Sequence, residues 1–262
     1  MNFDWAYFWA SLLTPTPRFL QGLSITATVS VAAMASALVI GVFIALLGRS
    51  KFLPFRIFVS FYIWLIRGTP LLVQLVIIYT GFAAAGLFRF EDVGILGIHV
   101  TAAVQAAIVA VALNESAYIA EIVRSGLESV DEGQGEAALT LGMRPLAAMR
   151  WIIIPQAIRI MVPPLGNSFN GLMKNTSILS VIGVAEMFQI SQIMSSATFK
   201  TFEIYSVAAL YYLALTTIWT FIQAWIENKL NERVGLLKTV SIFKRLFGTR
   251  SMKELSIAGQ AG

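Results

Sequence analysis

Residues 124 to 159 read RSGLESVDEGQGEAALTLGMRPLAAMRWIIIPQAIR, and this stretch decides how the rest of the chain must be read. It gathers Arg124, Glu128, Asp131, Glu132, Glu136, Arg144, Arg150 and Arg159 within a sequence that is otherwise strongly apolar. So many charges do not sit in hydrocarbon, so the segment is predicted to be a water-facing loop between two membrane-embedded halves. It also reads as ordered. Asp131 and Glu132 suit a helix N-terminus ahead of Glu136, while Gly142 followed by Pro145 stops that helix within about two turns. Ala137, Ala138 and Leu141 then share one face of a short surface helix, and their small size leaves room for close docking.

Composition agrees. Of 262 residues, 57% are hydrophobic and 13% charged, and the mean hydropathy is positive, which places the chain among all-α integral membrane proteins. The net charge of +5 gathers in loops and tail, as positive-inside topology requires, and forms no aromatic-interleaved patch of the kind that binds nucleic acid. There is no cysteine and only one histidine, His99, expected in a short loop. Disulfides, thiol nucleophiles, a histidine metal site and a histidine triad are thereby set aside, and no metal site or catalytic residue is expected.

Taken in order, residues 1–18 hold Trp5, Tyr7, Phe8 and Trp9 ahead of Pro15 and Pro17, and read as an interfacial N-terminal segment. Phe19 to Gly48 carries no charge and forms an overlong first span. Arg49, Lys51 and Arg56 mark its cytoplasmic end, which leaves the N-terminus outside. A second span, Ile57 to about Leu87, is interrupted at Arg67-Gly-Thr-Pro70, where a kink or re-entrant elbow is predicted. The acidic loop Arg89 to His99 falls outside. A third span covers about Val100 to Ile122. A fourth enters near Pro155, is expected to break at Pro163-Pro164 and Gly166, and carries Lys174. After an outer segment from Glu186 to Glu203, a fifth span, Ile204 to Ile226, returns inward. Lys229, Arg233, Lys238, Lys244, Arg245, Arg250 and Lys253 outnumber Glu227, Glu232 and Glu254 in the tail, which makes the C-terminus cytoplasmic. The expected organisation is an interfacial segment (1–18), a transmembrane domain of about five helices (19–228) with a cytoplasmic loop at about 124–155, and a basic cytoplasmic tail (229–262).

The loop EAALTLGMRPLAAMRWIIIPQ resembles the Glu-Ala-Ala loop of bacterial ABC importer permeases. Glu136, Ala137, Ala138, Gly142, Ile152 and Pro155 match that pattern, and Ile154 replaces a leucine. RGTPLLVQL (67–75), AYIAEIVRSGLESVDEGQ (117–134), PQAIRIMVPPLGN (155–167), KNTSILSVIGVAEM (174–187) and the GLSITATVS start of the first span are similar to the polar amino-acid branch of these permeases. The resemblance spans roughly residues 20 to 230. It implies a type I importer fold in the bacterial cytoplasmic membrane, paired with a second permease copy or a related chain. Glu136, Ala137, Ala138, Gly142 and Pro155 would couple it to a cytoplasmic ATPase dimer, and an extracytoplasmic amino-acid-binding protein would deliver substrate. The chain lacks a Gly-x4-Gly-Lys-Ser/Thr loop, so ATP and Mg are expected on the ATPase partner and no cofactor on this chain.

Lys174 is the candidate at the centre of a substrate site, since a lysine at mid-membrane costs about 2.5 to 3.5 kcal/mol unless it reaches water or a partner. Asn175, Thr176 and Ser177 beside it, with Asn114, Thr69 and Gln74 from the other spans, complete the expected substrate-binding set; snorkelling to the interface is the plainer role for Lys174. The family pattern has Lys-Asp-Thr-Ser where this chain has Lys-Asn-Thr-Ser, which favours a neutral or acidic amino acid over a cationic one. Glu115 is expected either at this cavity or paired with Arg124 or Arg159, and Arg67 at the inner interface. An ion-coupled carrier would need inverted repeats and intramembrane carboxylates, and a membrane enzyme would need paired catalytic groups in one region. Five unequal spans with a single main carboxylate candidate, Glu115, fit neither well.

Overall fold

Thr16 and Pro17 start the longest apolar helix: the Thr16 side chain accepts the Phe19 amide and proline occupies the first turn, where its missing N–H costs nothing. In the computed structural model, which describes residues 3–95 and 98–232, the elements follow in the order α1 (Trp5–Leu13), α2 (Pro17–Gly48), α3 (Leu53–Gly68), α4 (Leu71–Val76), a π-helical turn Ile77–Gly81 and α5 (Phe82–Ala84). A hairpin, β1 (Val93–Ile95) and β2 (Ile98–Val100), then leads to α6 (Ala102–Glu128), α7 (Glu132–Thr140) and α8 (Pro145–Ala148). A second π turn, Met149–Ile153, runs into α9 (Ile154–Asn175) and a 3-10 segment, Thr176–Ile182. α10 (Met187–Thr198) and α11 (Thr201–Glu232) close the described chain.

Among the described residues, four helical stretches are long and apolar enough to cross a membrane: 17–48, 102–128, 145–182 and 201–232. The pair α3 and α4–α5, bent by 105°, makes up to five, as hydropathy leads one to expect. The interruption at Arg67-Gly-Thr-Pro70 is this bend. Among the described residues, those up to Thr216 pack as one compact unit and residues 217–232 belong to another, in which Gln223 Nε2 donates to Glu227 Oε1 at 2.9 Å.

The first unit is built on the contact of α2 with α6. α2 presents Val29, Ser30, Ala33, Ala37 and Gly41, and α6 presents Ala106, Ala110, Ala117 and Ala120, all buried. Without a hydrophobic drive between helices in lipid, close van der Waals packing of small residues holds such a pair. The approach is tightest at Gly41, where a Cβ would lie 2.7 Å from Ile119 Cγ2 and 2.9 Å from the Ser116 carbonyl oxygen. Tyr62 ties α3 to the same helix, its hydroxyl 2.9 Å from the Leu113 carbonyl and 2.7 Å from Ser116 Oγ.

Three sequence expectations are corrected here. Pro163 and Pro164 do not break the fourth span: both lie inside α9, which continues to Asn175. Proline removes only local ladder bonds, and a membrane-embedded helix tolerates that loss better than an open end. The break comes later, where the 3-10 segment ends at Gly183 with φ 78°, a left-handed conformation that suits glycine. The Arg89 to His99 loop contains an antiparallel hairpin in which Gly94 pairs with His99. The segment from Glu186 to Glu203 is not a plain outer connection either, because it contains α10 and Glu186 is fully buried.

At the N-terminus, α1 is a helix capped by Asp4, with Trp5 and Trp9 exposed and Phe8 packed with Phe19, Met187 and Val207. Polar contacts dock it: the Asp4 amide donates to Glu203, Lys200 pairs with the Asp4 carboxylate, and the Tyr211 hydroxyl donates to the Leu12 carbonyl. Of the expected basic tail, residues 233–262 lie outside the described residues.

Candidate functional site

The elbow between α3 and α4 is built by its own sequence. Gly68 ends α3, Thr69 is extended, and Pro70 starts α4 without an N–H to spend. Gln74, buried one turn on, folds its amide back. Its Nε2 donates to the Ile66 carbonyl (2.8 Å), the Thr69 carbonyl (3.2 Å) and Thr69 Oγ1 (2.7 Å), while its Oε1 accepts Asn114 Nδ2 at 3.0 Å. These bonds satisfy groups that the bend frees and pin the elbow to α6.

Against this elbow, α6 and α9 run antiparallel and leave an open cleft of about 600 Å³. The elbow contributes Arg67, Thr69 and Pro70; α6 contributes Asn114, Glu115 and Tyr118; α9 and the turn after it contribute Ser168, Gly171, Asn175 and Ile178. A second cleft of about 530 Å³ shares Arg67, Tyr118 and Ser168 and continues along the same seam toward α7, past Glu121, Arg124, Gly126, Ile160 and Pro164. The two form successive stretches of one groove.

Of the residues expected to bind substrate, Asn114, Thr69 and Asn175 line the first cleft. Gln74 is buried in the bonds just described. Thr176 is buried and donates to the Met173 carbonyl, and Ser177 donates to the Lys174 carbonyl. Lys174 is exposed beside Asn175 at the end of α9, and its ammonium has no ion-pair or hydrogen-bond partner among the described residues.

The charged groups are arranged differently from expectation. Glu115 pairs with neither Arg124 nor Arg159: Ser168 Oγ donates to its Oε2 at 2.7 Å, and it has no cationic partner among the described residues. Arg124 is taken up within its own helix, by Glu121 at 3.1 Å and Glu128 at 2.7 Å, the three- and four-residue spacings at which helical side chains meet. That spacing is written in the sequence and was the available signal. Arg67 faces the cleft with its guanidinium 5.2 Å from the Tyr118 ring and Nη1 3.6 Å from Glu121.

The loop expected to couple to a partner is locked at both ends. Asp131 accepts the Gly133 amide at 2.8 Å and opens α7. At the other end the Met143 amide reaches the Ala138 carbonyl and the Gly142 amide the Leu139 carbonyl, around Gly142 at φ 82°, a Schellman closure. Glu136, Ala137 and Gly142 are exposed and Pro155 is half-buried in the first turn of α9. Ala138 does not share the outer face, as expected, but is buried, because it lies on the side of α7 turned to the body. Leu139, Leu141, Leu146 and Trp151 supply the exposed apolar surface instead.

Residues 37–232 match the family model described as binding-protein-dependent transport system inner membrane component. The chain is 38% identical over 224 residues to the probable amino-acid permease protein YxeN of Bacillus subtilis, covering 86% of this chain and 96% of that one. It is 34% identical over 230 residues to the glutamine transport system permease protein GlnP of Escherichia coli, covering 88% and 99%. A solved amino acid ABC transporter, crystallised with histidines, superposes with a TM-score of 0.76 at 38% identity, over 87% of this chain and 100% of that one. The inward-facing MetNI methionine ABC transporter shares the fold, with a TM-score of 0.65 at 19% identity over 81% of this chain and 96% of its own.

Proposed function

We infer the activity of this chain from one premise: it belongs to the family of binding-protein-dependent transport system inner membrane components. In this reading it is the permease subunit of an ATP-driven importer that moves a polar amino acid across the cytoplasmic membrane by alternating access. The observation that carries it is the cleft between the pinned elbow and the α6–α9 seam, where the polar residues Asn114, Thr69 and Asn175 line one open space large enough to admit an amino acid. The names borne by the relatives support an amino acid as cargo, and Asn175, in place of an acid, supports a neutral or acidic one.

The parts then take roles. Lys174, Asn175, Thr176 and Ser177 form the end of the site beside the 3-10 turn, with Lys174 exposed at its edge, outside the cleft lining, where its charge steers an anionic group inward before it seats. Asn114, Thr69 and Gln74 form the opposite wall, Gln74 by holding the other two in place. The N-terminus faces outside and the α7 loop faces the cytoplasm. There Glu136, Ala137, Ala138, Gly142 and Pro155 form a rigid knob for an ATPase dimer, which binds ATP and Mg and does the hydrolysis. A second permease subunit and an extracytoplasmic receptor complete the assembly. Closure of the ATPases moves the knob as a rigid body and opens the cleft outward to receive substrate.

The test is ATPase and uptake activity of the reconstituted complex across the common amino acids, for the native chain and for Lys174→Ala. One amino acid is expected to stimulate both activities, and the substitution to abolish uptake while the complex still assembles. If no amino acid is taken up, the importer reading fails; if uptake survives the substitution, Lys174 has no part in the site.

A further inference from the structure

Resting on that importer reading, we propose that Arg67 and Glu115 clamp the two ends of an amino-acid zwitterion in the cleft, Arg67 on the α-carboxylate and Glu115 on the α-ammonium. Glu115 is 8% exposed and lies in an apolar span. Its one hydrogen-bond donor among the described residues is Ser168, and the carboxylate lines an open cleft. A buried carboxylate is ordinarily matched by a cation, because the desolvation it suffers is not offset by a single hydroxyl. Here the protein supplies none, and a ligand ammonium in the cleft is the missing partner.

Arg67 is the complementary case. Its nearest acid, Glu121, is 3.6 Å away, too far for a hydrogen bond, and both Glu121 oxygens already accept from Arg124 Nε and Nη2. The guanidinium therefore keeps its donors, with its position fixed beside the Tyr118 ring. A planar fork with unused donors is suited to bidentate capture of a carboxylate. Arg67 and Glu115 line the same space, whereas Arg124, the other cation along the groove, lines only the second cleft and is spent on Glu121 and Glu128. With both termini neutralised in this way, the substrate side chain lies toward Gly171 and Asn175, where the lining carries no charge.

The assay uses the detergent-solubilised permease and ATPase complex without its receptor, since the receptor selects ligands on its own account. Binding of tritiated L-glutamine is competed with L-glutamine, with its decarboxylated analogue 4-aminobutanamide, and with its deaminated analogue glutaramic acid. If the uptake screen selects another amino acid, that one and its own two analogues replace these. The native complex is expected to bind each analogue at least about tenfold more weakly than the parent. In Arg67→Gln the preference over the decarboxylated analogue collapses toward one while that over the deaminated analogue persists, and Glu115→Gln does the reverse. Arg67→Lys restores part of the first preference, which separates a charge contact from a fold defect. If both preferences survive in both variants, the clamp is overturned although the importer reading stands. If the full native complex takes up no amino acid, the reading beneath it falls first.

Discussion

Glu186 and Glu115 are both buried carboxylates in the first unit, and their surroundings are opposite. Glu186 is completely enclosed and accepts from Thr26 Oγ1 at 3.2 Å, the Tyr212 hydroxyl at 2.9 Å, and the amides of Phe188 at 2.9 Å and Gln189 at 2.7 Å. It caps α10 while joining α2 and α11, so its charge is met by a helix N-terminus and two hydroxyls. Glu115 has one hydroxyl and an open side. The first arrangement is finished within the protein and holds helices together. The second is complete only when something enters the cleft.

The largest effect that separates the two is on stability. Glu186→Ala leaves two amides and two hydroxyls without their acceptor and is expected to cost about 3 kcal/mol or more, read from thermal or denaturant unfolding in detergent. Glu115→Gln, measured alongside, is expected to stay within about 1 kcal/mol of the native chain, because an amide still accepts from Ser168. Equal losses in the two variants would erase the distinction between joint and site.

The same distinction requires that α2 and α6 stay together without help from either carboxylate. Gly41→Ala tests this. Its new methyl meets the Ser116 carbonyl and Ile119, and an overpacking cost of about 1 to 3 kcal/mol is expected, with the unfolding midpoint as readout. A neutral result would mean that the seam is looser than its geometry indicates. Gly142→Ala is expected to cost about 1 kcal/mol, since the site has room for a methyl but its backbone is left-handed. The loss should appear as faster amide exchange confined to α7, with the cleft unchanged.

The smallest effect belongs to a carboxylate at the surface. Lys200 holds the Asp4 carboxyl below its usual value of 3.8. The group is depressed on folding, so its contribution is complete above that value and is lost as the pH falls through the lowered one. Docking of α1 is therefore expected to be constant from neutral pH down to about 4 and to loosen only in stronger acid, followed by proteolysis of residues 3–16. In Lys200→Gln, which removes the main cause of the depression, the acid-dependent part of that loosening should shrink.

Much of this was legible because it is local. Gly68 and Pro70 forecast the elbow, Asp131 and Gly142 the two ends of α7, and uninterrupted apolar runs the spans, since each depends on neighbours in sequence. The exceptions depend on tertiary partners. Pro163 and Pro164 look like a break, yet the surrounding helices let α9 continue. Glu186 reads as an acid outside the membrane because its hydroxyl partners, Thr26 and Tyr212, lie 160 and 26 residues away. Gln74 and Thr69 read as substrate ligands, and the bonds by which they also pin the elbow, to each other and to the Ile66 carbonyl, are not visible in the sequence. Arg124 is the opposite case: its partners, Glu121 and Glu128, are three residues before it and four after it, so they are written in the local sequence and no distant acid is needed.

The fit of Gly41 against α6 also has a consequence for biosynthesis. α2 leaves the ribosome more than fifty residues before α6 begins, so its small-residue face enters the bilayer with nothing of matching shape beside it. Until Ala102 onward is made, that face meets only lipid or other nascent chains. A chain truncated before Ala102 is therefore expected to insert and yet to be cleared by membrane quality-control proteases, and release of the first spans from the translocation machinery to wait on the arrival of the third.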